Sequence, residues 1–272
     1  MITLNSDAAS TSLSKTTKAI LNEYGIKLNK NLGQNYLIDR NKRDQIIQFG
    51  NLTKDDVVLE IGPGIGTLTI ELAKRVKKVI AIEQDSNICQ ILENRLKKEN
   101  IDNVDLINDD ALNVEFPKFD KIISNLPYQI SSPITFKFLN YDFQLAILMY
   151  QKEFASRMNG KVGSKNYSRL SAMLYFKCDV DLLTGVSAES FIPKPKVDST
   201  VVRLTPKLPE LNGQLKHLNI NEINEKDFKT YSKFVKALFQ HRNKKVKNAL
   251  IDSRPVSYTH LTLPTTLGCR SR

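Results

Sequence analysis

The stretch Val57-Val58-Leu59-Glu60-Ile61-Gly62-Pro63-Gly64-Ile65-Gly66 constrains the fold more than any other part of the chain. A short apolar run passes directly into a turn with glycine at every second position, and a helical segment from Leu68 to Arg75 follows. Glycine in such a turn lets the backbone bend tightly and lets a ligand approach the main chain closely. Strand, glycine turn and helix together form the opening unit of a wound α/β sheet. The spacing separates this turn from two relatives. It is not the G-x-G-x-x-G of dinucleotide enzymes, and no pyrophosphate-cradling lysine follows it as in a P-loop.

The next hundred residues repeat the alternation. Val79 to Glu83, Val104 to Ile107, Lys121 to Ser124 and Leu145 to Met149 are short and mostly apolar, as strands covered on both faces must be. Ser86 to Lys98 and Ile134 to Leu139 have helical character, with Ser86 as the expected N-cap. After Lys152 a helical segment runs to Arg157. A glycine-containing loop, Asn159 to Ser164, and a helix near Tyr167 to Tyr175 follow. Val180 to Val186 and Val197 to Leu204 read as strands that complete the sheet, and they flank Phe191-Ile192-Pro193-Lys194-Pro195. Pro206 and Pro209 mark a linker. Phe228, Tyr231, Val235 and Leu238 recur at helical spacing within Asp227 to Leu250. The expected organisation is a flexible polar tail (1–26), an α/β catalytic domain (27–206) and a small helical C-terminal domain (207–254).

The charge narrows the partner. Lys and Arg number 40 against 29 acids, a formal charge of +11, which points to a polyanion because phosphate neutralisation releases counterions. Three cysteines (Cys89, Cys178, Cys269) and three histidines (His217, His241, His260) lie too far apart for a disulfide framework or a metal site, so no metal is expected. No run approaches the ~20 apolar residues of a membrane span, and the Ser- and Thr-rich start lacks the apolar core of a signal peptide. The expected setting is the cytoplasm, away from any membrane.

Glu83, at the end of the second strand, can accept from both ribose hydroxyls of a nucleoside, without choosing which nucleoside. Asp110, after the third strand, can accept from an adenine amino group. Asn125-Leu126-Pro127-Tyr128 follows the fourth strand, at the edge where open α/β sheets bind ligands. An exocyclic amine is a poor nucleophile because its lone pair is delocalised into the ring. The Asn125 side-chain oxygen and a backbone carbonyl near Leu126 would hold its two hydrogens. Pro127 would fix that carbonyl, and Tyr128 would offer a flat face to the base. Such a reaction needs positioning and charge stabilisation more than a strong base.

These motifs, with Asn31-Leu32-Gly33-Gln34-Asn35-Tyr36-Leu37 before them and Phe191 to Ser199 after, occur in the order of the ribosomal RNA adenine dimethyltransferases. The chain resembles that family from about Lys27 to Leu250, and Gln129-Ile130-Ser131-Ser132-Pro133 is similar to its archaeal and eukaryotic branch. The resemblance implies a Rossmann-like S-adenosylmethionine-dependent methyltransferase with a small helical C-terminal domain. The implied activity is transfer of four methyl groups to two adjacent adenines near the 3′ end of small-subunit rRNA, within ribosome biogenesis. By the same resemblance Asn35, Leu37, Gly62, Glu83, Asp110 and Asn125 contact the cofactor. Asn125, Leu126 and Tyr128 hold the target base, and Phe191 stacks on its other face. Two departures stand out: Tyr36, where the family often has Phe, and Asp109, where it commonly has Gly.

Three alternatives compete. A large-subunit rRNA methyltransferase of the macrolide-resistance type shares most motifs, but Ser131-Ser132-Pro133 and the late loop argue against it. A DNA adenine methyltransferase would need a recognition domain for which 272 residues leave little room. A non-catalytic RNA-binding assembly factor would not need the intact glycine turn. The expected partner is the small-subunit rRNA or its pre-ribosomal particle, met by a monomer through Lys236, Arg242, Lys244, Lys245 and Lys247. From about Pro255 onward Asn, Lys and Ile, common until then, no longer occur, so 255–272 reads as a non-native tail and the C-terminal domain as truncated.

Overall fold

A computed structural model describes residues 12–26, 35–207, 225–241 and 244–253. The strands expected from the apolar runs form: β2 (Val57–Ile61), β3 (Lys78–Glu83), β4 (Val104–Asn108), β5 (Lys121–Asn125) and β6 (Leu145–Gln151). With β7 (Cys178–Val186) and β9 (Ser199–Pro206) they make a seven-stranded sheet in the order β4-β3-β2-β5-β6-β9-β7. The five strands from β4 to β6 run parallel, and β9 lies antiparallel to β6. A separate antiparallel pair joins β1 (Tyr36–Leu37) to β8 (Phe191–Ile192). Val58, Leu59, Ile122, Ile123 and Ala146 to Leu148 are fully buried, which explains why the parallel strands carry unbroken apolar runs.

The chain order reverses between β2 and β5, and such a switch point opens a crevice at the carboxyl ends of the strands. Two buried contacts hold this pair. At its start Lys121 Nζ meets Asp56 Oδ2 at 2.9 Å; at its far end Ser124 Oγ donates to Ile61 O at 2.5 Å. Burial opposes the charge on Asp56, but hydrogen bonds from Lys121 and Thr53, with the Lys121 charge, together outweigh it and hold the carboxyl below its ordinary range.

The helices on this sheet are α2 (Arg40–Phe49), α3 (Thr69–Ala73), α4 (Ser86–Lys98) and α5 (Ser131–Phe138). The N-cap of α4 is Asp85 rather than Ser86: its Oδ1 accepts from Asn87 N at 3.0 Å and Ile88 N at 3.3 Å. A carboxylate there also meets the positive end of the helix dipole. The expected polar tail needs a larger correction. Leu13–Glu23 form a helix, α1, capped by Ser12, and they bury Thr17, Ile20 and Leu21. Ile20 and Leu21 pack with Tyr36, Ile65, Ile88 and Ile91.

The chain divides into two compact units, one of residues 1–155 with 181–205, the other of 156–180 with 206–272. The division differs from a single boundary at 206 because α7 (Arg169–Lys177) packs with the C-terminal segment. Phe176 stacks on Phe228 and Tyr231 at centroid distances of 5.7 and 4.7 Å, and Tyr231 Oη donates to Ala172 O at 2.9 Å. The helical stretch expected from Asp227 to Leu250 is two helices, α8 (Glu225–Gln240) and α9 (Val246–Ser253). Among the described residues no helix is long and apolar enough to cross a membrane. The expected tail at 255–272 lies outside the described residues.

Candidate active site

A cleft of about 1100 Å³, open to solvent, lies along the carboxyl ends of β2, β3 and β5. Its lining brings together Asn35, Leu37, Gly62, Glu83, Asp110, Asn125, Leu126 and Tyr128, eight residues that the sequence reading placed in the site. Phe191, the ninth, is not among them. It is 2% exposed and packs in the core with Leu37, its partner across the β1–β8 pair. Its ring thus packs in the core and does not line the cleft, apart from the other eight.

On the glycine side, Gly62, Gly64 and Gly66 all take left-handed backbone angles, φ +67°, +56° and +86°. A Cβ at Gly62 would meet the Pro127 ring at 3.0 Å, and one at Gly64 would meet the Tyr36 ring at 3.0 Å. The glycines thus bring the turn up against the two segments that flank the cleft. Glu83 is held by main-chain donors, accepting from Gly64 N and Asp85 N at 3.1 Å each. Burial raises its pKa. Glu60, in the same cleft, is 2% exposed, and its Oε2 has no hydrogen-bond partner among the described residues. Burial, with repulsion from Glu83, pushes it up to about 8. Glu83 at a strand end and close-approaching glycines suit a nucleoside cofactor, and a positive charge on that cofactor would favour ionisation of Glu60.

Asp110 Oδ1 accepts from Leu112 N at 2.9 Å, so the carboxylate organises its own turn as well as lining the cleft. That turn is also held from α5: Lys137 Nζ donates to Ala111 O at 2.8 Å and to Val114 O, and lies 4.3 Å from the centre of the Phe116 ring. The departure at Tyr36 has a visible consequence. Its hydroxyl is buried with no partner among the described residues, and burial beside Glu83 and Asp85 raises the phenol well above its ordinary range.

At the end of β5, Asn125 Nδ2 donates to Asn35 O at 3.1 Å. That bond orients the amide and leaves Oδ1 as its acceptor. Leu126 is 2% exposed, and Tyr128 begins a 3-10 turn, Tyr128–Ile130, with its hydroxyl 2.6 Å from Ser199 Oγ. Gln84 and Ala111, which also line the cleft, were not singled out by the sequence reading; each directly follows an acid that was. Of the expected RNA-binding residues, Lys236, Lys245 and Lys247 are exposed, and Lys244 pairs with Asp252 at 2.6 Å. Arg242, like Asn31 to Gln34, lies outside the described residues.

Residues 25–265 match the family described as ribosomal RNA adenine dimethylase, beyond Leu250 where the resemblance read from motifs ended. A probable ribosomal RNA small subunit methyltransferase A of Methanosphaera stadtmanae is 51% identical over 237 residues, which cover 87% of this chain and 82% of that protein. The crystal structure of a dimethyladenosine transferase from Plasmodium falciparum is similar with a TM-score of 0.68 and 36% identity, over 79% of this chain and 74% of that one. The 23S rRNA methyltransferase ErmE is similar with a TM-score of 0.63 and 28% identity, over 80% and 84%.

Proposed function

The chain belongs to the ribosomal RNA adenine dimethylase family, and from that membership we propose that it dimethylates the N6 amino groups of two adjacent adenines near the 3′ end of small-subunit rRNA. S-adenosylmethionine, when bound, supplies the electrophilic methyl group. Gly62, Glu83, Asp110, Asn35 and Leu37 hold the cofactor, the glycines by close main-chain approach and Glu83 at the ribose. Asn125 Oδ1 and the carbonyl near Leu126 accept from the amine and keep its nitrogen oriented. Tyr128 supplies the face on which the flipped base stacks.

The observation that carries this reading is the bond from Asn125 Nδ2 to Asn35 O. It commits the donor end of the amide and leaves Oδ1 as an acceptor for the amine, in a residue that lines the same cleft as Glu83 and the glycine turn, which supports the reading. On the same reading the particle is a pre-ribosomal small subunit, met in the cytoplasm by a single copy of the chain. Residues 27–206 carry the chemistry and 207–254, with Lys236, Lys245 and Lys247, grip the RNA.

Methyl transfer measured on small subunits with unmethylated target adenines, against large-subunit RNA and DNA, tests the reading. Dimethyladenine in the small-subunit RNA alone is the expected result. Preferential labelling of large-subunit RNA would favour the activity named for ErmE.

A further inference from the structure

We propose that Ser199 is a positioning residue for base recognition, holding the Tyr128 ring by its hydroxyl at the place where the target adenine stacks. The inference rests on reading Tyr128 as the stacking face. Tyr128 stands on a 3-10 turn of three residues without a side-chain cap, a weak mount for a ring whose position must be fixed. Its far end is better held. Tyr128 Oη and Ser199 Oγ lie 2.6 Å apart across 71 positions of sequence. Ser199 is fully buried, opens β9 and pairs with Gln151 of β6, so the tip of the ring is fastened to the sheet rather than to a loop.

The residues before Ser199 brace it. Asp198 accepts from Ala188 N through Oδ1 and from Lys152 N through its backbone oxygen, each at 3.0 Å. Phe191, in the same late segment, pairs with Leu37 of β1. One segment thus secures Tyr128 on the base side and Tyr36–Leu37 on the cofactor side, and the bond between Asn125 and Asn35 closes the circuit. Rotation about χ1 would swing the tip of the ring out of place, and a hydrogen bond at its para position holds that tip, while rotation about the last torsion, whose axis passes through the hydroxyl oxygen, is left to packing. Burial raises the Tyr128 phenol, which keeps the hydroxyl protonated at neutral pH.

Kinetics of Ser199→Ala, Tyr128→Phe, the double variant and Tyr128→Ala test this, with calorimetric titration of S-adenosylmethionine and a thermal melt of each. Ser199→Ala and Tyr128→Phe should each lower kcat on unmethylated small subunits about three- to tenfold, the usual worth of one hydrogen bond. The double variant should fall no further than the lower single, because both remove the same bond. Cofactor affinity should stay unchanged in all three. Wild-type kcat in Ser199→Ala, with or without a lowered melting temperature, would overturn the inference, as would a double variant equal to the product of the singles. Should Ser199→Ala not fold, Tyr128→Phe decides alone, since it keeps the ring and removes only the oxygen. Tyr128→Ala separates the two levels of the argument: wild-type turnover there would remove Tyr128 from base stacking, whatever Ser199 does.

Discussion

Gly62→Ala joins the cofactor side of the cleft to the base side in a single perturbation. Gly62 has φ +67°, and a left-handed angle costs a residue with a Cβ about 1–2 kcal/mol. The added methyl would also sit 3.0 Å from both Cδ and Cγ of Pro127. A flexible side chain would swing aside, but the pyrrolidine ring is bonded to its own backbone. The displacement therefore passes into Leu126 and Tyr128. Leu126 is 2% exposed and has no free space to take it up. Strain and contact together come to about 2–3 kcal/mol, a fall in melting temperature of about 5–10 °C for a chain of this size. A shift of a few tenths of an ångström at the amine's acceptors should cost about three- to tenfold in kcat, given that ~1 Å costs about a hundredfold. Gly25→Ala is the control. Its φ is +58°, with nothing within 4 Å of the added carbon, so it carries the strain without the contact and should melt lower while turning over normally. Steady-state methyl transfer and thermal melts on both variants suffice. Wild-type turnover in Gly62→Ala, or an equal loss in Gly25→Ala, would refute the coupling through Pro127.

Four further outcomes follow from the same geometry. Asn125→Ala should lose about 10²–10³ in kcat, the usual effect of removing a group that acts on transition-state charge, while the fold persists by circular dichroism; near-normal turnover would remove Asn125 from the mechanism. Glu60 gives a pH dependence. Its folded pKa is raised from 4.5 to about 8, so its contribution to stability is full below about 4.5 and is lost as pH rises towards 8. Glu60→Gln should flatten the melting temperature between those limits, and an unchanged slope would assign the dependence elsewhere. Lys137→Met should weaken S-adenosylmethionine binding roughly tenfold through the turn that carries Asp110, by losing charged hydrogen bonds to Ala111 O and Val114 O; unaltered calorimetric affinity would make Lys137 a packing residue. Changing Lys236, Lys245 and Lys247 to Gln should reduce the slope of log affinity against log salt by roughly two to three, and an unchanged slope would place the RNA elsewhere.

The α/β layer was legible because burial on both faces leaves a mark in composition. Leu145–Gln151 is sheet interior at nearly every position, so it reads as a continuous apolar run from Leu145 to Met149. Helix α4 was legible to the residue, since Ile88, Ile91, Leu92 and Leu96 recur at helical spacing. Helix α1 was not. It buries only Thr17, Ile20 and Leu21, and three positions within a run of Ser, Thr and Lys give too little pattern to see. Nor could the sequence show that α7 belongs with the C-terminal helices, because Phe176 meets Phe228 and Tyr231 across half a hundred intervening residues whose path no local rule predicts.

The site divides along the same physical line. Gly62, Glu83, Asp110 and Asn125 line one cleft because each lies at or just beyond the end of a strand, and parallel strands of a wound sheet deliver their carboxyl ends to one edge. Nothing about their neighbours was needed. Ser199 and Lys137 were missed because their contribution lies in one long-range bond each, to Tyr128 and to the Asp110 turn. Phe191 shows the matching gap: its place in a late loop is legible, but its pairing with Leu37 and its burial are not. Residues that touch the reactants follow from topology, whereas residues that aim them follow only from packing. In a reaction driven by positioning rather than by a strong base, that second group governs how far the first can work. The bonds of Ser124 to Ile61 and Tyr128 to Ser199 tie β5 and the turn after it to β2 and to β9, so on the proposed function the loss of either should show in turnover before it shows in cofactor affinity.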